Sequence, residues 1–220
     1  MPPVESLFEC GVDEVARGCL FGRVYAGAVV WAGDASQTPL PLPAGIVVRD
    51  SKTMSHRQRV RATQYVKDHA VAWAVGYREP SEIDRTNILR AAMAAMHDAI
   101  SSLSVRPASL AIDGTMFIQY DGIPHRCIPQ GDRCHFAISC AAIIAKTAHD
   151  AYVAELCAAD PTLDQRYGLL KNMGYGTATH IRGVREHGVT ENHRRTFGVC
   201  RTACLAKASD EKNIETESMH

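Results

Sequence analysis

Residues 11–18 read GVDEVARG. The apolar run FECGVD, over 8–13, leads into them and a turn containing Gly18 follows. This is the pattern of a short buried strand that ends on two adjacent carboxylates, Asp13 and Glu14. Burying one ionised carboxylate is costly unless something pairs with it, and two side by side ask for a cation. On these eight residues alone a strand ending in an ordinary polar turn is the favoured reading. The rest of the chain has to decide between the two readings.

The chain has 220 residues, 46% of them hydrophobic and 22% charged, the profile of a globular protein with room for one good core. No apolar run is long enough to span a bilayer, and MPPVESLFEC lacks the basic-then-apolar order of a secretory signal. Lysine plus arginine and aspartate plus glutamate number 24 each, so any contact with nucleic acid rests on local clusters of charge. Of eight cysteines none forms a C-x-x-C pair; all are expected to be reduced, mostly buried thiols in a cytoplasmic setting.

A second strand is expected over 22–33, joined to the first by a tight connection, and a proline-rich loop over 34–45. Ser55 and Gln58 have capping-box spacing at the start of a helix over 55–70. A strand follows over 70–78. The spacing then predicts one long helix over 81–103, capped by Ser81 with Asp84 three residues on. Leu89, Ala92, Met93, Met96, Ile100 and Leu103 share its apolar face. Short strands over 108–114 and 125–132 end on Asp113 and Asp132. The segment 136–157 is apolar nearly all round at its start and is expected to be a buried helix. Residues 173–198 are more polar and glycine-rich. Strands cluster early and mix with helices, which argues an α/β fold with one central sheet.

Asp13, Asp113 and Asp132 each end or leave an expected strand, and Glu14 sits beside the first. If those strands share a polarity, four acids meet at one rim of the sheet. Each aspartate alone is explained as a strand-end turn residue; four together are harder to explain so. Hard oxygen ligands of this kind suit Mg²⁺ or Mn²⁺ rather than zinc. Two such ions about 3.5–4 Å apart can clamp the attacking water and the leaving oxygen of a phosphodiester.

The chain resembles the ribonuclease HII family. The stretches that carry the resemblance are GVDEVARG, DSKTMS (50–55), AIDGT (111–115), GDRCHFAISCAAIIAKTAHD (131–150), NMGYGTATH (172–180) and HGVTENHRRTFG (187–198). The resemblance implies an RNase H-like fold, a mixed sheet flanked by helices with a helical C-terminal part over roughly 160–205. It implies one catalytic domain over 1–205, expected to act as a monomer; the low apolar content of SDEKNIETESMH (209–220) argues a disordered tail, placed over 206–220. The implied activity is hydrolysis of the RNA strand of RNA–DNA hybrids, including a single ribonucleotide embedded in duplex DNA. Products would carry 3′-hydroxyl and 5′-phosphate ends, as ribonucleotide excision repair requires.

Carried over residue by residue, Asp13, Glu14, Asp113 and Asp132 are the metal-binding catalytic set. The backbone of Ala16, Arg17 and Gly18 would meet the 2′-hydroxyl, and Tyr175 would stack on the sugar at the RNA–DNA junction. Lys52, Lys146, Lys171, Arg194 and Arg195 are cations placed to contact phosphates. Asp150 is read as structural, and His180 and His193 as surface or hydrogen-bonded histidines. The sequence departs from the family where the usual Gly-Arg-Gly-Pro is Ala16-Arg17-Gly18-Cys19. Ala16→Gly would let the backbone approach the 2′-hydroxyl if the methyl is a block. If the turn accepts the methyl, the same change would cost up to about 1 kcal/mol of stability. Two rivals stay open: a catalytically impaired hybrid-binding paralogue, and a junction-cutting DNA nuclease of the same fold class.

Overall fold

The computed structural model describes residues 8–39 and 41–206, and they fall into two compact units. The expected tail over 206–220 lies, but for residue 206, outside them.

The first unit runs to Arg17 and continues through Val24–Arg78 and Ile88–His149. Its sheet comprises β1 (Glu9–Val15), β2 (Val24–Val30), β3 (Ala72–Arg78), β4 (Ser109–Asp113) and β5 (His125–Ile128), in the order β3-β2-β1-β4-β5. β1–β2 and β2–β3 pair antiparallel, whereas β1–β4 and β4–β5 pair parallel. The FECGVD run is thus the central strand. Helix α1 (His56–His69) opens with the expected capping box, Ser55 accepting from Gln58 N–H at 3.3 Å and the Gln58 side chain accepting from Ser55 N–H at 2.9 Å.

Helices cover both faces of the sheet. Met93, Met96 and Ile100 of α3 (Ile88–Ser101) pack with Val12, Ala26 and Ile112 on one face. On the other, Phe136, Cys140 and Ala141 of α4 (Phe136–Ala159) pack with Val29, Trp31 and Val66. Both helices lie on the strand backbone itself. A Cβ on Gly11 would stand 2.3 Å from the Ala137 carbonyl carbon, and one on Gly76 2.3 Å from the Ala95 oxygen, so only glycine fits at either contact.

The second unit takes Gly18–Arg23, Glu79–Asn87 and the chain from Asp150 on. It contains α2 (Pro80–Thr86), the end of α4, α5 (Thr162–Tyr167), α6 (Leu169–Asn172), α7 (Ala178–His187) and a helix over 198–206. The connection between β1 and β2 is therefore not tight, because Gly18–Arg23 are engaged in this unit. Nor is 81–103 one helix. α2 starts at Pro80, with Glu82 reaching back to Glu79 N–H at 3.3 Å, and it ends at Asn87, whose φ of 113° interrupts the helical path. Ser81 lies inside α2, and the capping position belongs to Glu79. Asp84 instead accepts from Arg195 N–H at 2.8 Å and Thr196 N–H at 2.9 Å.

All eight cysteines are free, and no described helix is long and apolar enough to cross a membrane.

Candidate active site

Because β1, β4 and β5 run parallel, their C-terminal ends share one rim of the sheet. Val12 pairs with Ile112, and the next residue on each strand is Asp13 and Asp113. β5 stops at Ile128, opposite Asp113. The chain then passes Gln130, at φ 55°, into a 3₁₀ turn over Gly131–Arg133 that holds Asp132. Asp132 thus sits in a turn beyond the strand rather than at its end, since Pro129 cannot extend a ladder. Gly131 N–H donates to Asp113 Oδ1 at 2.7 Å, and Ser139 Oγ donates to the Asp132 carbonyl at 2.7 Å. One end of this turn is tied to β4 and the other to the first turns of α4.

Strand alternation distributes the acids. Cys10 and Val12 enter the α3 core, so Gly11 and Asp13 face α4 while Glu14 turns to the α3 side. There a cavity of about 480 Å³ opens, lined by Glu14, Arg17, Met93, Met96, Asp113 and Met116 among others.

The electrostatics of the rim are those of anions short of cations. Asp13 is 5% exposed. Burial, and then the charges of Glu14, Asp113 and Asp132, push its carboxyl well above the usual carboxylate range, against one 2.7 Å hydrogen bond from Glu14 N–H. Burial also raises Glu14, although Arg17 pairs with it at 2.9 Å and pulls the other way. Asp132 is raised by burial and by Asp113 and Asp50, with Lys52 and Arg133 opposing. These groups sense one another, as the shared-polarity argument requires.

The donor set is all carboxylate, with none of the nitrogen or sulfur ligands that zinc favours, and it suits a hard divalent cation. Among the described residues no three His, Cys, Asp or Glu side chains already close on a single ion position. The raised proton affinity of the rim is what a divalent cation would relieve.

Other expected contact residues divide between the units. Lys52 is exposed on a 3₁₀ turn over Ser51–Thr53 and acts electrostatically on Asp132. Lys146 is half-buried on α4. Ala16 follows the strand at φ 69° and 2% exposure, a left-handed conformation in which a methyl is strained, so relief of that strain offsets much of the expected cost of a glycine there. In the second unit Gly18 has no described atom within 4 Å of where a Cβ would stand. Tyr175 there is half-buried and bridges to Cys19, while Arg195 and Lys171 are exposed.

Arg194 requires correction. It is fully buried and donates from Nε to the Gly22 carbonyl and from Nη2 to that of Arg23, each at 2.9 Å. A guanidinium so enclosed braces Gly18–Arg23 and is not available to a phosphate. His180 and His193 are hydrogen-bonded, but buried. Asp150 is buried within α4. Two features escape the sequence reading. Asp50, in the DSKTMS motif, is buried, accepts from Lys52 N–H at 3.0 Å and lies 3.4 Å from Arg133, a fifth acid beside Asp132. At the other end of β1, Glu9 takes 2.9 Å contacts from both His135 and Arg126.

The family model for ribonuclease HII matches residues 10–200. The chain is 42% identical over 189 residues to a ribonuclease HII of Parabacteroides distasonis, covering 86% of this chain and 89% of that one. Its fold is similar to the ribonuclease H2 of Pyrococcus horikoshii, with a TM-score of 0.67 at 22% identity over 90% of this chain and 97% of the other. It is also similar to Bst-RNase HIII in complex with Mn²⁺, with a TM-score of 0.57 at 21% identity over 91% and 70% of the two chains. The chain belongs to the ribonuclease HII family, and it is an endoribonuclease of RNA–DNA hybrids.

Proposed function

We propose that this member of the ribonuclease HII family cleaves the RNA strand of hybrids and also single ribonucleotides embedded in duplex DNA, with Asp13, Glu14, Asp113 and Asp132 holding Mg²⁺ or Mn²⁺. The observation that carries the reading is the parallel trio of strands that brings four acids to one rim and raises three of them. When bound, the divalent ions supply charge neutralisation at the phosphate and lower the pKa of the attacking water. The chain's own groups do the rest. The Asp113–Gly131 hydrogen bond fixes Asp132 relative to β4. Lys52 adds positive charge near Asp132 and Arg195 exposes another cation, both suited to phosphates. The turn at Ala16, Arg17 and Gly18 offers backbone groups to the 2′-hydroxyl, the only mark of RNA at a single site. Tyr175 offers its ring to the adjoining sugar. In-line hydrolysis then leaves 3′-hydroxyl and 5′-phosphate ends.

Residues 1–205 are proposed as one catalytic domain, because the family's motifs draw on both units. A monomer in the cytoplasm, serving ribonucleotide excision repair, completes the proposal and accords with eight free thiols.

The test is cleavage of a DNA duplex holding one ribonucleotide, with Mg²⁺, with Mn²⁺ and with neither. Metal-dependent incision at the ribonucleotide is expected. Incision of an all-DNA duplex would favour the DNA-nuclease rival. Binding without incision, with either ion, would favour the impaired paralogue.

A further inference from the structure

In the second unit the buried polar groups form a chain with a direction. Thr190 N–H lies 3.0 Å from His193 Nδ1, with the Thr190 hydroxyl 2.9 Å from the same nitrogen. A backbone N–H only donates, so His193 Nδ1 carries a lone pair and the ring proton sits on Nε2. His180 Nδ1 lies 3.0 Å from the Tyr175 carbonyl oxygen, which only accepts, so this ring carries its proton on Nδ1. The two Nε2 atoms are 3.2 Å apart, one with a proton and the other with a lone pair. One arrangement of neutral tautomers satisfies every link. Protonating His193 would set its new N–H against Thr190 N–H and leave it only the Thr190 hydroxyl as acceptor; protonating His180 would set the two Nε2–H groups against each other. Burial lowers both histidines, His193 to about 3 with His180 adding to the effect.

The chain ends on the residue between Gly174 and Gly176, where flanking glycines leave the backbone its widest freedom. Hydrogen bonds hold the backbone on both sides of that residue. Tyr175 N–H donates to Asn172 O at 3.0 Å, Leu20 N–H donates to Gly174 O at 2.8 Å, and the Tyr175 carbonyl also accepts from Thr177 N–H at 2.8 Å. The rings are packed from the side by Tyr167 and Phe21, with centroids 4.7 and 5.1 Å from that of His193.

We propose that His180 and His193 are positioning residues for substrate selection: their one-way hydrogen-bond chain, from Thr190 to the Tyr175 carbonyl, fixes the peptide after Tyr175 and so the angle at which its ring meets the sugar. This rests on Tyr175 being the residue that reads the RNA–DNA junction. The pair is buried and acts through the backbone at Gly174 and Tyr175.

The measurement is the ratio of two cleavage rates, on a single embedded ribonucleotide and on a long hybrid. His180→Ala removes the donor and is expected to lower the ratio about ten-fold, the worth of one hydrogen bond. His180→Asn keeps an amide N–H near the Nδ1 position and is expected to hold the ratio within about three-fold of the parent. In a Tyr175→Ala background His180→Ala is expected to change the ratio no further. Equal loss on both substrates, or a loss that persists without Tyr175, overturns the proposal. Imidazole ¹⁵N shifts of the unmutated protein give a check that does not depend on how the variants fold: His180 as the Nδ1–H tautomer and His193 as Nε2–H at pH 7 support it, and any other assignment overturns it. A ratio that Tyr175→Ala leaves unchanged would sink the junction-reading role of Tyr175; the ¹⁵N shifts then still decide the chain.

Discussion

Strand β1 carries an acid near each end, and the two behave in opposite ways. At its start, Glu9 is held at about 2 by hydrogen bonds and charge from His135 and Arg126. Near its end, Asp13 is pushed well above the usual range by burial and by three neighbouring carboxylates. The same backbone serves both. What differs is the company: a brace that joins β1 to β5 and to the start of α4, against a rim where acids face acids. A protein has nothing to gain from such a rim as structure, because uncompensated buried charge only destabilises. The difference between the two ends matches the proposed roles, with Glu9 in a structural brace and Asp13 at the metal-holding rim.

The largest effect should come from making the rim less acidic. Asp113→Asn removes a ligand charge and keeps the side-chain volume, so cleavage should fall by more than about a thousand-fold, over about 4 kcal/mol of transition-state stabilisation. The metal-free variant should melt no lower than the parent, since one repulsion is gone. Cleavage near the parent rate would break the comparison at its functional end.

Cation binding should come next. The raised carboxyls of Asp13, Glu14 and Asp132 favour the folded state only while protonated. That contribution is fully present below the unfolded value near 4 and is lost as pH rises through the folded values. At pH 7.5 the metal-free rim is therefore strained, and Mg²⁺ or Mn²⁺ should raise the melting temperature. The gain is about 2.7 kcal/mol when the ion is at a hundred times its dissociation constant. Na⁺ at equal ionic strength should do far less. If Na⁺ matched the divalent ions, simple screening would replace a specific site.

Glu9→Gln tests the other end. It leaves Arg126 and the buried His135 without their anion and should cost about 1–2 kcal/mol at neutral pH. Glu9 has a depressed folded pKa, so its contribution is present above its ordinary value of 4.5 and is lost as pH falls toward about 2. In urea titrations the variant and parent should converge across that window, while metal-dependent cleavage stays close to the parent rate. A stability gap that persists to pH 2 would mean the brace is steric.

The rim is legible in the sequence because its signals are local. Short apolar runs end on acids at residues 13 and 113, and a third acid, at 132, follows a proline just past its strand. The shared polarity of β1, β4 and β5 has to be assumed, since pairing is non-local. Asn87 is hidden because apolar spacing runs on through it as one helix, and the one local hint of its φ of 113° is that asparagine tolerates positive φ better than most residues. Pro80, suited to the first turn of a helix, is the available clue to the earlier start. Arg194 beside Arg195 looks like a basic surface pair, yet one is buried on carbonyls and the other exposed. Only the path of Gly18–Arg23 separates them, and no spacing in the sequence encodes that path.

The smallest effect belongs to Ala16, which stands in the chain between the acid rim and that bound segment. Its φ of 69° lies in the left-handed region, where an L-residue with a Cβ is strained by about 1–2 kcal/mol. Glycine removes that strain. It also loses the burial of one methyl, about 0.8 kcal/mol, and widens the freedom of the unfolded chain by about 0.5–1 kcal/mol. These terms nearly cancel, so Ala16→Gly should change stability by less than about 1 kcal/mol in either direction. A chain that accepts the strain gains a stiffer turn between Glu14 and Gly18. If that stiffness orients the backbone toward a 2′-hydroxyl, Ala16→Gly should slow cleavage of the single embedded ribonucleotide relative to the long hybrid, by about two- to three-fold. If the methyl obstructs the hydroxyl, the same ratio should rise instead. Paired rates on the two substrates, together with a urea titration, separate the cases, and an unchanged ratio with unchanged stability would show that residue 16 serves neither end of the comparison.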